Sequence, residues 1–234
     1  MEDWKKKYDW IGEFENGFAG VTLNDKYGFI NEQGEEIVSP KYDDTCAFKN
    51  GFAKVELNGK WGFINEKGEE IVSPKYDDTY AFQNGFAAVE LKGKWGFINE
   101  QGEEIVSPKY AYTYDFQNGF AAVKLKEKRG FINEQGEEIV TLKYDWAEDF
   151  SKGFANVILS GVRIKIDEQG NEIFTAEAKR AMEKIYKDEI KAARKKLADF
   201  KKRVEVTKKT NEEKLKSLEK VIIEDEPSTG PTAE

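Results

Sequence analysis

Residues 52–64 read Phe-Ala-Lys-Val-Glu-Leu-Asn-Gly-Lys-Trp-Gly-Phe-Ile, and this stretch decides the fold class. Ala53, Val55 and Leu57 alternate with charged residues, a period of two that is typical of a strand with one buried face. Asn58-Gly59 then separates this run from a second one, and Asn-Gly favours a two-residue hairpin because both turn residues need positive φ. The stretch therefore predicts two antiparallel strands joined by a tight turn.

The residues that follow predict a third strand in the same unit. Asn65-Glu66-Lys67-Gly68 fits a longer turn whose glycine takes the left-handed conformation. Glu69-Glu70-Ile71-Val72 comes next as a strand, and we expect Pro74 to close it because proline cannot donate to a ladder. Each unit is therefore predicted to be a three-stranded meander, followed by an aromatic connector that leads to the next unit.

This unit recurs with a fixed period of 34 residues, as the spacing of its turn glycines shows. Residues 41–74 and 75–108 differ at 5 of 34 positions. The unit lacks the 3.6-residue periodicity that a helical repeat of the same length would need. One meander cannot bury enough surface to be stable alone, so neighbouring units must stack. Five units tile the first 174 residues, at about 7–40, 41–74, 75–108, 109–142 and 143–174.

A family resemblance follows from these motifs. Lys60-Trp61-Gly62-Phe63-Ile64 recurs at 94–98, followed each time by the glycine turn, Ile-Val, and later Phe-x-Asn-Gly-Phe-Ala. This pattern resembles bacterial WG repeats, also called KWG repeats, and the resemblance covers about residues 7–174. It departs from the pattern where Tyr27, Arg129 and Arg163 stand in place of tryptophan. The resemblance implies a binding scaffold and assigns no specific activity.

Two architectures fit five such units. One is an open, β-solenoid-like array with degenerate end units as caps, and the other is a closed ring resembling a five-bladed propeller. Propeller blades usually take about 40–50 residues, so a period of 34 is short for one. The motif also decays in the fifth unit, where Ile164 replaces the glycine. We favour the open array and keep the ring as the alternative.

A charged helical segment is predicted for residues 175–226. Its apolar residues recur at steps of three and four, which is typical of an amphipathic helix. The stripe is lost near Val206, and Thr210 with Glu213 resembles a capping box, so a second helix is predicted there. We interpret residues 227–234 as a flexible tail. The candidate interaction stripe of the first helix comprises Met182, Tyr186, Ile190, Leu197, Phe200 and Val204.

Charge divides at the same boundary. Residues 1–174 hold 21 basic and 32 acidic side chains, a net charge of −11, whereas residues 175–226 hold 16 and 12, a net charge of +4. The helices are therefore expected either to cap the acidic array or to bind a partner, with self-association through the helices as a further alternative. Nucleic acid and membrane partners are disfavoured because acidic residues are interspersed along the helices.

The composition disfavours catalysis and metal binding. The chain has no His and one Cys, so His-based triads, His metal ligands and Cys zinc sites are excluded, and no cofactor is predicted. Cys46 is interpreted as a packing variant of Tyr80 and Tyr114. Paired carboxylates such as Glu69-Glu70 are expected to form solvated edges. With no signal peptide and no apolar run of membrane-spanning length, a cytoplasmic location is predicted.

The leading functional hypothesis is a non-enzymatic scaffold that binds a protein partner through the repeat surface, the helices, or both. The alternative is a small-molecule or glycan-binding module that uses the repeated aromatic positions. Both hypotheses concern the tryptophan position of the repeat motif. A third interpretation is that these side chains are buried in the core between units and contact no ligand. The candidate contact residues are Trp61, Trp95, Tyr27, Arg129 and Arg163.

Overall fold

The computed structural model describes residues 3–224, and the side chains of residues 4–218. The described backbone forms a short 3-10 helix η1 (Asp3–Lys7), twenty β-strands and one α-helix α1 (Ala176–Glu224). The chain divides into two compact units, Met1–Ala178 and Lys179–Glu234. The tail predicted for residues 227–234 lies outside the described residues.

Each repeat forms one four-stranded antiparallel sheet, in which the strands lie side by side in chain order. The first sheet holds β1 (Trp10–Ile11), β2 (Phe18–Leu23), β3 (Lys26–Asn31) and β4 (Glu36–Tyr42). The second holds β5 (Asp44–Thr45), β6 (Phe52–Leu57), β7 (Lys60–Asn65) and β8 (Glu70–Tyr76). The third holds β9 (Asp78–Thr79), β10 (Phe86–Leu91), β11 (Lys94–Asn99) and β12 (Glu104–Tyr110). The fourth holds β13 (Tyr112–Thr113), β14 (Phe120–Leu125), β15 (Lys128–Asn133) and β16 (Glu138–Tyr144). The fifth holds β17 (Trp146–Ala147), β18 (Phe154–Leu159), β19 (Val162–Asp167) and β20 (Glu172–Ile173).

The repeat array and its hairpins are confirmed, with one strand more per sheet than the three predicted. The extra strand is the two-residue β5 and its equivalents, which lie in the connector that the sequence pattern left without regular structure. Asp44 pairs with Glu56 and Thr45 with Val55. Two residues are too few to show a period, so this strand forms because the neighbouring β6 offers it free backbone groups.

The tight turn of each sheet has the geometry that its sequence demands. Asn58 and Gly59 adopt φ values of 54° and 71°, and Leu57 pairs with Lys60 across the turn. In the longer turn, the Asn65 side-chain oxygen accepts hydrogen bonds from the backbone N–H groups of Lys67 and Glu69, both at 3.0 Å. The two turns set the register of β6, β7 and β8, and hence which face of the sheet is apolar.

The glycine after Trp61 permits an irregular pairing between β7 and β8. The register shifts on both sides of Phe63, so that the chain of β8 crosses close to Gly62. A Cβ atom on Gly62 would lie 2.3 Å from the Val72 carbonyl oxygen and 2.7 Å from the Pro74 nitrogen. Only glycine fits this approach. Pro74 lies inside β8 and does not end it, because the bulged segment needs no N–H there.

The hydrophobic core lies between successive sheets, which pack face to face. Phe63, Val72 and Tyr76 of the second sheet form one cluster with Ala87, Val89 and Ile98 of the third. Phe82, at 1% exposed, lies in the same cluster and contacts the rings of Phe52 and Phe63 at 4.3 and 4.8 Å. Burying one such ring contributes about 1.5–3 kcal/mol, and the contact recurs at every junction between repeats.

A buried tyrosine and a carboxylate join each repeat to the next. Tyr42 donates its hydroxyl hydrogen bond to Glu70 Oε1 at 2.9 Å, and Lys41 contacts the same oxygen at 3.0 Å. The hydrogen bond from Lys41 lowers the pKa of Glu70; burial opposes this effect, and the bond from Tyr42 adds to it. The second glutamate of each pair is exposed, as the interpretation of a solvated edge expects, and in addition it accepts this bond between repeats. Equivalent hydroxyl bonds are Tyr8–Glu36, Tyr76–Glu104, Tyr110–Glu138 and Tyr144–Glu172.

The array is open, because residues outside the repeats take the place of a neighbouring sheet at its first end. The turn glycine Gly68 lies against Ile37 of the preceding repeat, but its equivalent Gly34 lies against the Trp4 ring of η1. Phe14 is 39% exposed, whereas its equivalents Phe48, Phe82, Phe116 and Phe150 are buried. At the other end, Ile173 is 43% exposed.

One continuous helix replaces the two that were predicted for residues 175–226. Thr175 Oγ1 accepts a hydrogen bond from the Ala178 N–H, which caps the start of α1. Thr210 does not begin a second helix, because its hydroxyl donates to the Val206 carbonyl within α1 at 3.0 Å. A side chain that bonds one turn back is compatible with a helix interior. The polar interval near Val206 therefore interrupts the apolar stripe and leaves the backbone helical.

Candidate functional site

Sequence differences between the repeats fall mainly outside the positions that form the core. Tyr42, Tyr76, Tyr110 and Tyr144 are identical and fully buried. By contrast, the position that follows each short strand holds Cys46, Tyr80, Tyr114 and Glu148 in successive repeats. The first residue of the short strand varies in the same way, from Asp44 and Asp78 to Tyr112 and Trp146. These variable positions give the third, fourth and fifth repeats a surface of their own.

Aromatic side chains at these positions form a continuous stack with Trp95 and Arg129, which lie at the tryptophan position of the repeat motif. We call it the ladder, and define it as Tyr80, Trp95, Tyr112, Tyr114, Arg129 and Trp146. The Tyr80 and Trp95 rings lie 4.9 Å apart and are nearly parallel, at 10°. Trp95 is followed by Tyr112 at 6.5 Å, and Tyr112 by Tyr114 at 5.0 Å. The ladder crosses two junctions between repeats.

The short strands position the ladder. Tyr112 and Tyr114 flank Thr113 in and after β13, so their side chains leave the strand on the same side while Thr113 is buried. Trp95 and Arg129 occupy the equivalent position of β11 and β15, next to the bulge glycine. Tyr80, Tyr112 and Trp146 are 42%, 39% and 46% exposed. The ladder therefore combines the buried Trp95 with side chains that are accessible to a partner.

Arg129 is the one cationic member of the ladder. Its guanidinium carbon lies 3.8 Å from the centre of the Trp146 ring and 5.2 Å from that of Tyr114. Its Nε and Nη1 atoms are buried and have no hydrogen-bond partner among the described residues. Stacking between rings holds the guanidinium in one orientation, so these donors are preorganised for an acceptor.

Two of the five predicted contact residues belong to the ladder. Trp95 is only 8% exposed, because Tyr80 and Tyr112 cover it. Trp61 is half-buried under the Lys54 ammonium group, which lies 4.5 Å from the ring centre and donates to the Thr79 carbonyl. Tyr27 is half-buried in the first sheet, and exposed Arg163 contacts Glu148 at 3.2 Å. These three residues lie outside the ladder.

Four ladder residues were not singled out from the sequence: Tyr80, Tyr112, Tyr114 and Trp146. The signal that would have found them is the spacing of Tyr112 and Tyr114, which are two residues apart and therefore on one side of a strand. That signal was weak because the strand itself, at two residues, was not recognised.

The comparison with protein families decides the identity of the array. The family model described as "WG containing repeat" matches residues 5–27, 27–61, 61–95, 95–128 and 130–161. The chain belongs to the WG-repeat family. Among curated proteins, none matches the chain in sequence.

Several solved structures are similar to the WG-repeat chain at low sequence identity. Hsv2 from Kluyveromyces lactis is 11% identical with a TM-score of 0.36, and the match covers 70% of this chain and 62% of that one. Hsv2 from Kluyveromyces marxianus is 8% identical with a TM-score of 0.37, covering 67% and 57%. A eukaryotic initiation factor is 10% identical with a TM-score of 0.41, covering 71% and 56%. The WG-repeat chain spans less than two thirds of the length of each of them.

Helix α1 of the WG-repeat protein carries a second apolar surface. Within the predicted stripe, Met182 is buried, at 4% exposed. The remaining members are 50–64% exposed, and we call them the helix stripe: Tyr186, Ile190, Leu197, Phe200 and Val204. Basic residues outnumber acidic ones beside the stripe: Lys187, Arg194 and Lys201 lie with Glu183 on one side, and Lys196 and Arg203 lie with Glu189 on the other.

The described residues of the WG-repeat protein form neither a metal-binding cluster nor a membrane-spanning helix. Within the described part of the chain, no group of three or more Cys, Asp or Glu side chains is arranged to hold a metal ion. No helix in that part is long and apolar enough to cross a membrane.

Proposed function

We propose that this WG-repeat protein is a non-enzymatic scaffold that binds a protein partner on the ladder. The observation that carries the proposal is the contiguous, partly exposed stack of tyrosine, tryptophan and arginine on repeats that are otherwise nearly identical. Tyr, Trp and Arg are the residue types that most often dominate the energy of protein interfaces. Side chains held by stacking lose little further entropy when a partner docks, which favours affinity.

Arg129 supports a partner with hydrogen-bond acceptors. Its buried Nε and Nη1 atoms have no hydrogen-bond partner among the described residues, and an unmet donor at a partly buried guanidinium is costly. A backbone carbonyl or carboxylate of a bound chain would satisfy these donors once the side chains that cover them move aside. The ladder would then supply apolar contact area, and Arg129 would fix the register of the bound segment.

The ladder favours a protein over a glycan, which is the alternative ligand. Sugar binding by aromatic residues needs a flat ring face that is open to the ligand. Tyr80 stacks on Trp95 at 4.9 Å, and Arg129 covers one face of the Trp146 ring at 3.8 Å, so several ring faces of the ladder are already occupied. The ladder presents apolar rings together with hydroxyl and guanidinium groups, a combination that suits the mixed polar and apolar surface of a protein.

The helix stripe is proposed as a second contact surface, for a helix of a partner protein. Two copies of α1 would bring basic flanks such as Arg194, Lys201 and Arg203 against each other, which disfavours self-association. A partner helix with an apolar stripe and acidic flanks would match both features. We therefore expect the purified chain to be monomeric in analytical ultracentrifugation, and a stable dimer would contradict this part of the proposal.

The experiment that tests the scaffold uses substitutions copied from the other repeats. In the full chain, Tyr112→Asp and Trp146→Asp install the residue that the second and third repeats carry at the same position, so folding should be preserved. Proteins cross-linked to the wild type in a lysate of the source cells are identified by mass spectrometry. We expect the ladder variant to recover at least tenfold less of a specific partner than the wild type does. This corresponds to a loss of about 1.4 kcal/mol or more in the free energy of binding.

Two matched variants complete this experiment. Lys67→Gln copies Gln101 in a turn remote in sequence from the ladder, and it should retain full recovery. Leu197→Glu with Phe200→Glu disrupts the helix stripe alone and shows whether the same partner needs both surfaces. If the ladder variant keeps its thermal midpoint and recovers every partner of the wild type, the proposed function of the ladder is wrong.

A further inference from the structure

A cavity of about 350 Å³ lies beside the ladder and is built by three successive repeats. Tyr80, Tyr112 and Tyr114 contribute aromatic walls, and Asp115 contributes a carboxylate. Lys49 of the second repeat also lines the cavity. Ligand cavities typically begin at about 300 Å³, so this one suits a single side-chain head group or a small molecule.

The acidic side of the cavity is a local departure from the repeat. Asp115 and Asp149 stand where the second and third repeats carry Ala47 and Ala81. Burial, and then the charge of Asp115, raise the pKa of Asp149, so the two carboxylates lie close enough to repel each other. Neither of them forms an ion pair with any described residue. Asp115 therefore places a carboxylate without an ion-pair partner among the described residues next to the tyrosine rings, and the neighbouring Asp149 adds to the negative charge there.

The acceptor beside the tyrosine rings is the Asp115 carboxylate. Thr113 also lines the cavity, but it is 3% exposed and its side chain leaves the strand on the side opposite to Tyr112 and Tyr114. Its buried hydroxyl, like that of the equivalent Thr79, therefore belongs to the fold of the repeat. A ligand that donates N–H hydrogen bonds would match the combination of Asp115 with three tyrosine rings.

We propose that the cavity binds an organic cation with N–H donors, a guanidinium or primary ammonium group. Its charge would lie against Asp115, and its flat or methylene surface against the tyrosine rings, which attract cations through their negative faces. The cation comes either from a basic side chain of the partner, a source that rests on the proposed function, or from a free amine. Lys49 competes for the same negative charge and limits the affinity.

Two substitutions copied from neighbouring repeats test the site without disturbing the fold. Asp115→Ala installs the residue of Ala81, and Lys49→Gln installs that of Gln83. The probe is N-acetyl-arginine amide, titrated into the full chain and followed by the tyrosine side-chain resonances in NMR. We expect Asp115→Ala to weaken binding about tenfold and Lys49→Gln to strengthen it about threefold. N-acetyl-citrulline amide, the neutral analogue, should not bind.

Further probes separate the two sources and the role of the N–H donors. A peptide with blocked ends, in which a central arginine is the one charged side chain, should bind at least tenfold more tightly than the arginine probe if the cation belongs to a protein partner. Equal or weaker binding of the peptide assigns the site to a free amine. Tetramethylammonium, which has no N–H group, should bind more weakly than both.

Three results would overturn the inference: no binding of the arginine probe, equal binding of the citrulline probe, or binding unchanged in Asp115→Ala. Each of them leaves the scaffold proposal standing, because the capture experiment depends on Tyr112 and Trp146 and does not require Asp115. Conversely, if the ladder variant recovers every partner of the wild type while the wild type still binds the arginine probe, the scaffold proposal is wrong and the cavity is limited to free amines.

Discussion

The second and fifth repeats have the same period but end differently. In the second, Gly62 lets β8 run for seven residues across the bulge. In the fifth, Ile164 stands at that position and the fourth strand β20 has only two residues, which pair without a register shift. Ile164 is buried, so the fifth sheet accepts the side chain where no long strand crosses it. The glycine of the WG motif is therefore required by the strand that passes over it.

The same two repeats also differ in how they contact a following repeat. Asn50 donates to the Phe82 carbonyl of the third repeat at 2.8 Å, and Phe63 contacts the Phe82 ring. In the fifth repeat, Lys152 occupies the position of Asn50 and Lys165 occupies the position of Phe63. Lys165 is exposed. A charged side chain at an apolar contact prevents a sixth sheet from stacking. The array thus ends where its stacking residues have been replaced one by one.

The largest predicted effect comes from exchanging the residue that distinguishes the two repeats. Gly62→Ile in the second repeat would place a Cβ atom 2.3 Å from the Val72 carbonyl oxygen, and backbone atoms cannot move aside without breaking the sheet. We expect a loss of about 4 kcal/mol or more in the free energy of unfolding, measured by urea denaturation. Ile164→Gly, the matched exchange in the fifth repeat, should cost about 2–5 kcal/mol, through lost burial, the cavity left behind and the flexibility of glycine. A loss below about 1 kcal/mol in Gly62→Ile would show that the close approach at the bulge does not matter.

A smaller effect is expected from a contact that both repeats retain, the bond between tyrosine and glutamate. Tyr42→Phe removes the donor to Glu70 and should destabilise the chain by about 1.5–3 kcal/mol at pH 7. Burial, and then the hydrogen bond to Glu70, raise the pKa of Tyr42 to about 12, an effect that Lys41 partly opposes. Because the folded-state pKa lies above the unfolded value of about 10, this contribution is complete below pH 10 and is lost as the pH rises toward 12.

The pH dependence provides the check on this prediction. Urea denaturation at pH 7, 10 and 11.5 should show a shallower alkaline loss of stability in Tyr42→Phe than in the wild type. Glu70 acts at acid pH, because its pKa is lowered in the folded state. Its contribution to the free energy of unfolding is complete at pH values above its ordinary pKa, and it is lost as the pH falls through the lowered pKa of the folded state. Parallel alkaline curves for the two proteins would show that the tyrosine is not coupled to its carboxylate.

The smallest effect is expected where one repeat has lost a polar link. Asp77 accepts hydrogen bonds from the Lys60 ammonium group and from the Lys92 N–H, and thereby connects two repeats. Ala111 occupies the equivalent position, so Lys94 and the turn at Lys126 lack this partner. Ala111→Asp should stabilise the chain by about 0.3–1 kcal/mol in urea denaturation. Ala111→Asn, which lacks the charge, should give less than half of this gain.

Local patterns were sufficient to predict much of the array. The positive φ values of Asn58 and Gly59 and the alternation of Ala53, Val55 and Leu57 involve residues that are neighbours in the chain, so a single repeat contains the information. The helix at Ala176–Glu224 was predicted from its stripe, but its division at Thr210 was wrong because a hydroxyl can bond within a helix as well as cap one.

The candidate site was less accessible to prediction from sequence. Trp95 and Arg129 were identified because they occupy the motif position, whereas Tyr112 and Trp146 lie on two-residue strands that no periodicity reveals. Their importance comes from stacking across the junction between repeats, which depends on how the sheets pack.

The amino-acid sequence by itself determined the period, the hairpins and the number of repeats, because turn conformation and strand alternation are local properties. Only the tertiary structure decided what Glu70 does, since its partner Tyr42 lies 28 residues earlier and reaches it across a junction between two sheets. The same holds for the open ends and for the ladder. Contacts between stacked repeats join residues far apart in the chain, and near-identical units do not reveal from their sequence which neighbour each side chain meets.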